Sequence, residues 1–429
     1  MYKILVPLLV SAGLVISPLT WAESTQRWTL GASIQRVMEV APEMKTVDAE
    51  IGKQQGKLEQ ANAWPNPSIS IQVDDTLGLD DTSGGYDVTE FAFSQSLPIG
   101  RLAHQRRQAE ADIAGAQAQH SHQQLLLEYR VAQRLHVLQL AEAKLQLAKK
   151  RLQQASLYQK TGDKRRNDDH LIRYLTHLET MRLDIVLQAA KQTVEVAEGE
   201  YNEAAASFKA LLDISINEPL SLISLAPVPA PQELSALENS LQDHPALEAD
   251  KQLIESSRAG VAVAKSQRFE DPTLTVFRGE DFIDNRRQAT TGVMLNVQIP
   301  LLNQGKGRIT QARYAVYQAQ ADMSLKQREL QTNLHKNYLH LGHLIKQAEH
   351  YRSNLLAPAQ QVFTLTRKGF VAGELNILTL IDANNTYFDA QERYLELLQE
   401  GWLELAEVRK SSGLFLTDKR PVIQFGEVK

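Results

Sequence analysis

Two periodicities alternate along this chain of 429 residues. Leu30, Ile34, Val37, Met38 and Ala41 recur at helical spacing, which predicts a helix over about 29–63 with a kink or break at Pro42. The period then drops to two. Ile69, Ile71 and Val73 point one way, and Ser68, Ser70, Gln72 and Asp74 the other. After a Gly/Asp-rich loop from Asp74 to Asp87, alternation resumes with Phe91, Phe93 and Leu97 against Glu90, Ala92, Ser94 and Ser96. Pro98 and Gly100 end it. From Arg101 to about Tyr158 there is no Pro and only one Gly (Gly115), which predicts a helix of roughly 87 Å. A polar tip, Thr161–Asp169, turns the chain into a return helix over about 171–212.

The same order then recurs. A segment from Pro219 to Pro231, with Pro227, Pro229 and Pro231 alternating, reads as an extended linker. A helix over about 233–267 leads to a strand at Thr273–Phe277, a charged loop from Arg278 to Gln288, and a second strand. In that strand Val293, Leu295, Val297 and Ile299 alternate against Gly292, Met294, Asn296 and Gln298. A turn at Asn303–Gly307 opens a helix to about Lys368. Gly369–Gly373 forms a second tip, and a return helix runs to about Ser412. Landmarks match across the copies: Pro67 answers Pro272 and Pro98 answers Pro300, offsets of 205 and 202 residues. The expected organisation is therefore a leader (1–22), a first repeat (23–214), a linker (215–232), a second repeat (233–415) and a tail (416–429).

Composition narrows the picture. Hydrophobic residues make up 43% but aromatics only 6%, a balance suited to long amphipathic helices rather than a thick globular core. The net charge of −5 gives no basic footprint for nucleic acid. The absence of cysteine removes thiolate metal sites, a catalytic cysteine, disulfides and a lipidated cysteine anchor. Lys3, the apolar run Ile4–Ile16 and Thr20-Trp21-Ala22 have the order of a secretory leader. No nucleophile elbow, zinc-protease motif or P-loop occurs, so no enzyme and no cofactor is expected.

Four short strands with one apolar and one polar face fit either a half-buried sheet in a soluble α+β protein or a membrane barrel with lipid outside and water inside. An exported chain whose helices far outreach any four-stranded sheet favours the barrel. Backbone groups in hydrocarbon must all be bonded, so such a sheet has to close. Four strands cannot close, and eight would fill their own interior. Twelve, from three chains, is the smallest symmetric number that leaves a lumen. The helices need partners as well: Leu125, Val131, Leu135, Leu138 and Leu145 read as a coiled-coil seam. A periplasmic coiled-coil scaffold without a pore is the contrasting possibility.

These features resemble the TolC family of outer-membrane efflux channels. The resemblance rests on the two-fold repeat, the aromatic-x-x-Pro leads (Trp64–Pro67, Phe269–Pro272), the exits Leu97-Pro98 and Ile299-Pro300, and the stretch Gly369–Ala383. The run Gln298–Ile309 is most similar to the heavy-metal, CzcC/CusC-like branch. The resemblance implies a mostly α protein with membrane β: a homotrimer whose twelve-stranded β-barrel continues as a periplasmic α-helical barrel. It also implies a place in the outer membrane of a Gram-negative cell, against outer-membrane lipid, and docking to a periplasmic adaptor and an RND-type inner-membrane pump. The cargo this implies is heavy-metal cations, with organic solutes or type I secretion as alternatives.

Several residues follow as candidates. Asp382 aligns with one of two acidic aperture residues of the family, and Thr379 stands where the other would be. Three Asp382 carboxylates around an axis would favour cations. Gly162, Asp163, Gly369, Gly373 and Glu374 lie on the tips, the candidate adaptor contacts. Ile69, Ile71, Val73, Phe91, Phe93, Val293, Leu295 and Val297 are the candidate lipid-facing set. Asp74, Asp75, Asp80 and Asp81, with Asp87, would decorate the external mouth. His340/His343/His350 and His170/His177 share helix faces, but pairs alone do not make a metal site.

Overall fold

The computed structural model describes residues 27–73, 89–167, 176–283 and 286–417. The expected leader, the five mouth aspartates and His170 lie outside these residues. The chain begins with β1 (Arg27–Trp28), α1 (Leu30–Val40), α2 (Pro42–Asn62), β2 (Ser68–Val73), β3 (Thr89–Ser96), α3 (Arg101–Asn167) and α4 (His177–Leu212). It continues through β4 (Ser221–Leu222), α5 (Leu234–Ser240), a short 3₁₀ turn, α6 (Pro245–Ser266), β5 (Thr273–Ile283) and β6 (Arg286–Asn296). It ends with α7 (Lys306–Tyr351), a π-turn (Arg352–Leu356), α8 (Ala357–Ala372) and α9 (Ile377–Ser412).

Local chemistry sets the element ends. The Thr29 hydroxyl accepts from Ala32 N–H to cap α1, and Thr176 with Glu179 forms a reciprocal capping box on α4. The helix expected over 29–63 is two helices, because Pro42 cannot donate to a preceding turn and instead starts α2. Pro245 does the same for α6, so the helix expected over 233–267 is also divided. The first tip differs from expectation: helical backbone continues through Gly162 and Asp163 to Asn167. Nothing in Lys164-Arg165-Arg166 breaks a helix. In the second tip Gly369 is still helical, and the turn comes at Gly373, whose φ of 86° suits glycine.

The second hairpin is longer than the sequence indicates. β5 and β6 pair from Thr273↔Asn296 to Ile283↔Arg286, taking in most of the supposed charged loop Arg278–Gln288. Ladder bonds are made by backbone, so charged side chains do not stop them. Val297 and Ile299 lie just past the paired strand. A two-residue parallel pairing of β1 with β4 had no counterpart in the sequence reading. Trp28 of β1 meets Phe208 of α4 edge-on at 6.4 Å, in a core with Val37, Leu127, Val131, Leu135 and Leu138.

The helix after the second hairpin is not continuous to Lys368. Pro358 cannot bond back into the preceding turn, and the chain widens to a π-turn just before it. Buried positions above it are Leu334, Asn337, Leu341, Leu344 and Ala348; below it they are Ala359, Phe363, Thr366 and Phe370. A strict heptad carried on from Ala348 would place Pro358, Val362, Leu365 and Gly369 inside. The observed set sits one residue later, and the π-turn absorbs that residue.

Candidate functional site

Two regions carry the candidate residues: the sheet at one end and the turn joining α8 to α9 at the other. The sheet runs β2-β3-β5-β6, antiparallel throughout. Among the described residues it does not close, and β2 and β6 are its edges. Register places Ile69, Phe93, Val276 and Val293 in one row across all four strands, and every one is exposed. Ile71, Val73, Phe91, Leu274, Leu295 and Val297 are exposed as well. Exposed large apolar side chains on one continuous sheet face need a non-aqueous cover.

The opposite face is mostly polar or small, with Phe277 and Met294 as its large apolar members. Ser70, Ala92, Phe277 and Gly292 form one row, and Ser94 and Thr275 share a hydroxyl–hydroxyl hydrogen bond of 2.8 Å in the next. The tip of the Phe277 ring reaches over Gly292, where any β-carbon would collide with it.

The apolar set is oblique to the rows. The row through Ile71 reaches β6 at Thr291, yet the apolar residues there run from Val293 to Ile299. Their midpoint lies five residues further along, across three strand spacings. With about 3.3 Å per residue and 4.8 Å between strands, the band crosses the strands as if they were tilted by roughly 50°.

At the far end, Tyr158 of α3, Leu183 of α4, Phe363 and Phe370 of α8, and Ile377 and Leu380 of α9 share one core. It joins the two helical hairpins. Tyr158 meets Phe370 edge-on at 6.5 Å. Further up, Arg151 of α3 donates to Asn385 (2.7 Å) and pairs with Asp389 (3.5 Å), while Lys144 pairs with Glu392 (3.1 Å) and Glu396 (2.8 Å). Burial disfavours the Lys144 ammonium, but its bonds to Glu396 and Glu392 outweigh that and raise its pKa. Each of these Arg151 and Lys144 contacts links residues more than 230 positions apart, beyond the reach of sequence spacing.

The described residues of the second tip and the start of α9 serve the local backbone. Asn376 caps α9, accepting from Thr379 N–H (2.9 Å) and from the Thr379 hydroxyl (2.8 Å), so Thr379 serves helix initiation. Asp382 is exposed one turn further on, on the face away from the core. Glu374 is exposed and its N–H donates to Gly369 O at 2.9 Å. A β-carbon on Gly369 would strike Leu375, which accounts for glycine there.

Among the histidines, His340 pairs with Glu404 at 3.1 Å, and His343, His350 and His177 are exposed. Among the described residues no three His, Cys, Asp or Glu side chains converge to hold a metal. No described helix is long and apolar enough to cross a membrane.

Residues 236–413 match the outer membrane efflux protein family. The match runs from α5 to the end of α9. The cobalt-zinc-cadmium resistance protein CzcC of Cupriavidus metallidurans is 25% identical over 354 residues, 81% of each chain. Among solved structures, CusC superimposes with a TM-score of 0.72 at 16% identity, covering 90% of this chain and 92% of that one. VceC of Vibrio cholerae gives 0.71 at 15% identity, covering 90% and 96%. The open state of MtrE from Neisseria gonorrhoeae gives 0.68 at 15%, covering 92% and 91%. The chain therefore has the fold of these outer-membrane channels.

Proposed function

We propose that this chain is the outer-membrane exit duct of a tripartite efflux system, a homotrimer that passes heavy-metal cations delivered by an inner-membrane pump through a periplasmic adaptor. The observation that carries it is the sheet: four strands, one exposed apolar face, and two unpaired edges. A band oblique to tilted strands is level with a membrane slab, and roughly 50° lies close to the tilt of barrel strands. Strands β2 and β6 run in opposite directions, so β6 of one copy can pair antiparallel with β2 of the next. Three copies then close twelve strands with no edge left in lipid.

The helices support the same closure. α4 and α8 flank the α3–α9 pair in the tip region. Both expose apolar side chains, Leu178, Met181 and Ile185 on α4, and Val362 and Leu365 on α8. The cation cargo rests on the relationship to the cobalt-zinc-cadmium resistance protein and on Asp382, exposed in the second turn of α9. The segments about Gly162–Asp163, near the end of α3, and Gly369–Glu374, between α8 and α9, would meet the adaptor, since both lie at the end of the helical hairpins away from the sheet.

Purified protein in planar bilayers tests the duct. Cation-conducting channels of trimeric mass are expected; a water-soluble monomer without conductance defeats it. Asp382→Asn should shift the reversal potential toward weaker cation preference, and no shift removes Asp382 as the selectivity ring. For cargo, a deletion strain sensitive to dyes but unchanged toward divalent metals would replace cations with organic solutes.

A further inference from the structure

Inside the chain, α3 packs on α6, and this seam is a template for the contact between copies. Its floor is explicit. Asp112 bonds to Ser256 (2.5 Å), a β-carbon on Gly115 would meet Gln252 Cβ at 3.5 Å, and one on Gly260 would meet Gln108 at 3.5 Å. The helices run antiparallel, so the three contacts are successive levels of one seam.

The helical pairs of the two halves correspond. α2 and α6 each begin at a proline after a break, Pro42 and Pro245, 203 residues apart. α2 sits on α3 with Asp48 facing His120 (3.3 Å), and α6 sits on α7 with Arg308 donating to Gln267 O (3.1 Å). Advancing Asp48 and His120 by 203 gives Lys251 and Met323. That pair is level with the Arg308–Gln267 contact to within one residue. One shift therefore carries α2 onto α6 and α3 onto α7.

Among the main helix contacts, α2 packs on α3 and α6 packs on α7, which leaves α2 and α7 at opposite edges of this layer. They are also the helices joined to the two sheet edges, α2 leading into β2 and α7 leaving β6. Any closure that pairs β6 with the next copy's β2 sets α7 beside the next copy's α2.

We infer that the subunit seam is formed by α7 of one copy and α2 of the next, in the α3–α6 arrangement displaced by 203 residues. Asp112–Ser256 becomes Ala315 against Lys53, Gly115–Gln252 becomes Gln318 against Ala49, and Gln108–Gly260 becomes Gln311 against Lys57. Two of the three levels pair a long side chain with alanine. Asp322 comes level with Lys45 and Thr46. All nine of these edge residues are exposed, whereas the six template residues are buried or half-buried, the difference expected between an unmade seam and a made one. The inference rests on the cyclic assembly proposed above and supplies its residues.

The absence of cysteine makes the test clean. In the full chain, Ala315→Cys with Lys53→Cys, and separately Gln311→Cys with Lys57→Cys, should form disulfides between copies on oxidation. The denatured monomer band should shift to two and three times its mass. Each single variant should stay monomeric under denaturation, and so should Ala315→Cys with Lys45→Cys, about 12 Å away along the helix. Native mass is measured alongside. A trimer in which neither matched pair cross-links overturns the seam while leaving the duct standing; a native monomer overturns both. Cross-linking of Ala315 to Lys45 but not to Lys53 also overturns the assigned level.

Discussion

His244 provides a quantitative test of the packing that holds the middle of the molecule. Its ring is almost wholly buried between the start of α6 and the end of α9. Nδ1 accepts from Ala246 N–H at 3.1 Å, capping α6, and Nε2 donates to the Lys410 carbonyl at 3.1 Å. Those two partners require the neutral Nε2–H tautomer, because a protonated Nδ1 would point a hydrogen at an N–H. Burial pushes the His244 pKa down to about 4, against the opposing bond to Lys410, and His122 and Lys326 nearby add to the lowering.

An imidazole depressed in the folded state binds fewer protons there than when released. Its contribution to stability is therefore complete above the released value of 6.5 and is lost as pH falls from 6.5 toward 4. Between pH 7.5 and 5.5 the loss is about 1.3 kcal/mol, close to a tenfold change in local opening. Native-state hydrogen exchange of the first α6 turn, corrected for intrinsic rates, reads this directly. Protection should fall about tenfold in the native protein, and His244→Asn, which keeps a capping oxygen, should lose most of that pH dependence. An equal pH response in the variant would refute the argument.

Two further outcomes follow from the geometry. Phe370→Ala should cost about 3–5 kcal/mol of local stability in the tip core and open the α8–α9 turn to proteolysis, measured as cleavage between residues 363 and 380. Val293→Arg, on the apolar sheet face, should cost about 2–4 kcal/mol in membrane folding assays, whereas Ser70→Arg on the opposite face should cost far less. Equal penalties on the two faces would contradict the assignment of lipid to one of them.

The strands were legible because period two is imposed by the pleat: Ile69, Ile71, Phe91, Phe93, Val293 and Leu295 all emerge on the exposed face. Strand length was not, since Arg278, Glu280 and Gln288 break the apolar alternation without affecting backbone pairing. The seam residues Leu125, Val131, Leu135, Leu138 and Leu145 are buried, as heptad-like spacing implied. Glycine at 162 does not mark the first tip, because the helix-forming Lys164-Arg165-Arg166 that follows carries α3 past it. At the candidate aperture, Thr379 and Asp382 came from the family resemblance alone, and nothing in the sequence showed that the Thr379 hydroxyl is held by Asn376. The bridge from Arg151 to Asn385 and Asp389 has no local signature at all.

The π-turn at Arg352–Leu356 makes the lower part of the second hairpin a separable cassette. Above it the apolar stripe follows one phase, below it another, and the change happens within five residues. Grafting a tip from a relative with a different cargo partner would succeed only if the splice carries this turn, with Pro358, along with the new tip. A splice that lost the extra residue of this turn would rotate the helix below it by about 100°. Val362 and Leu365 would then occupy the interior in place of Phe363 and Thr366.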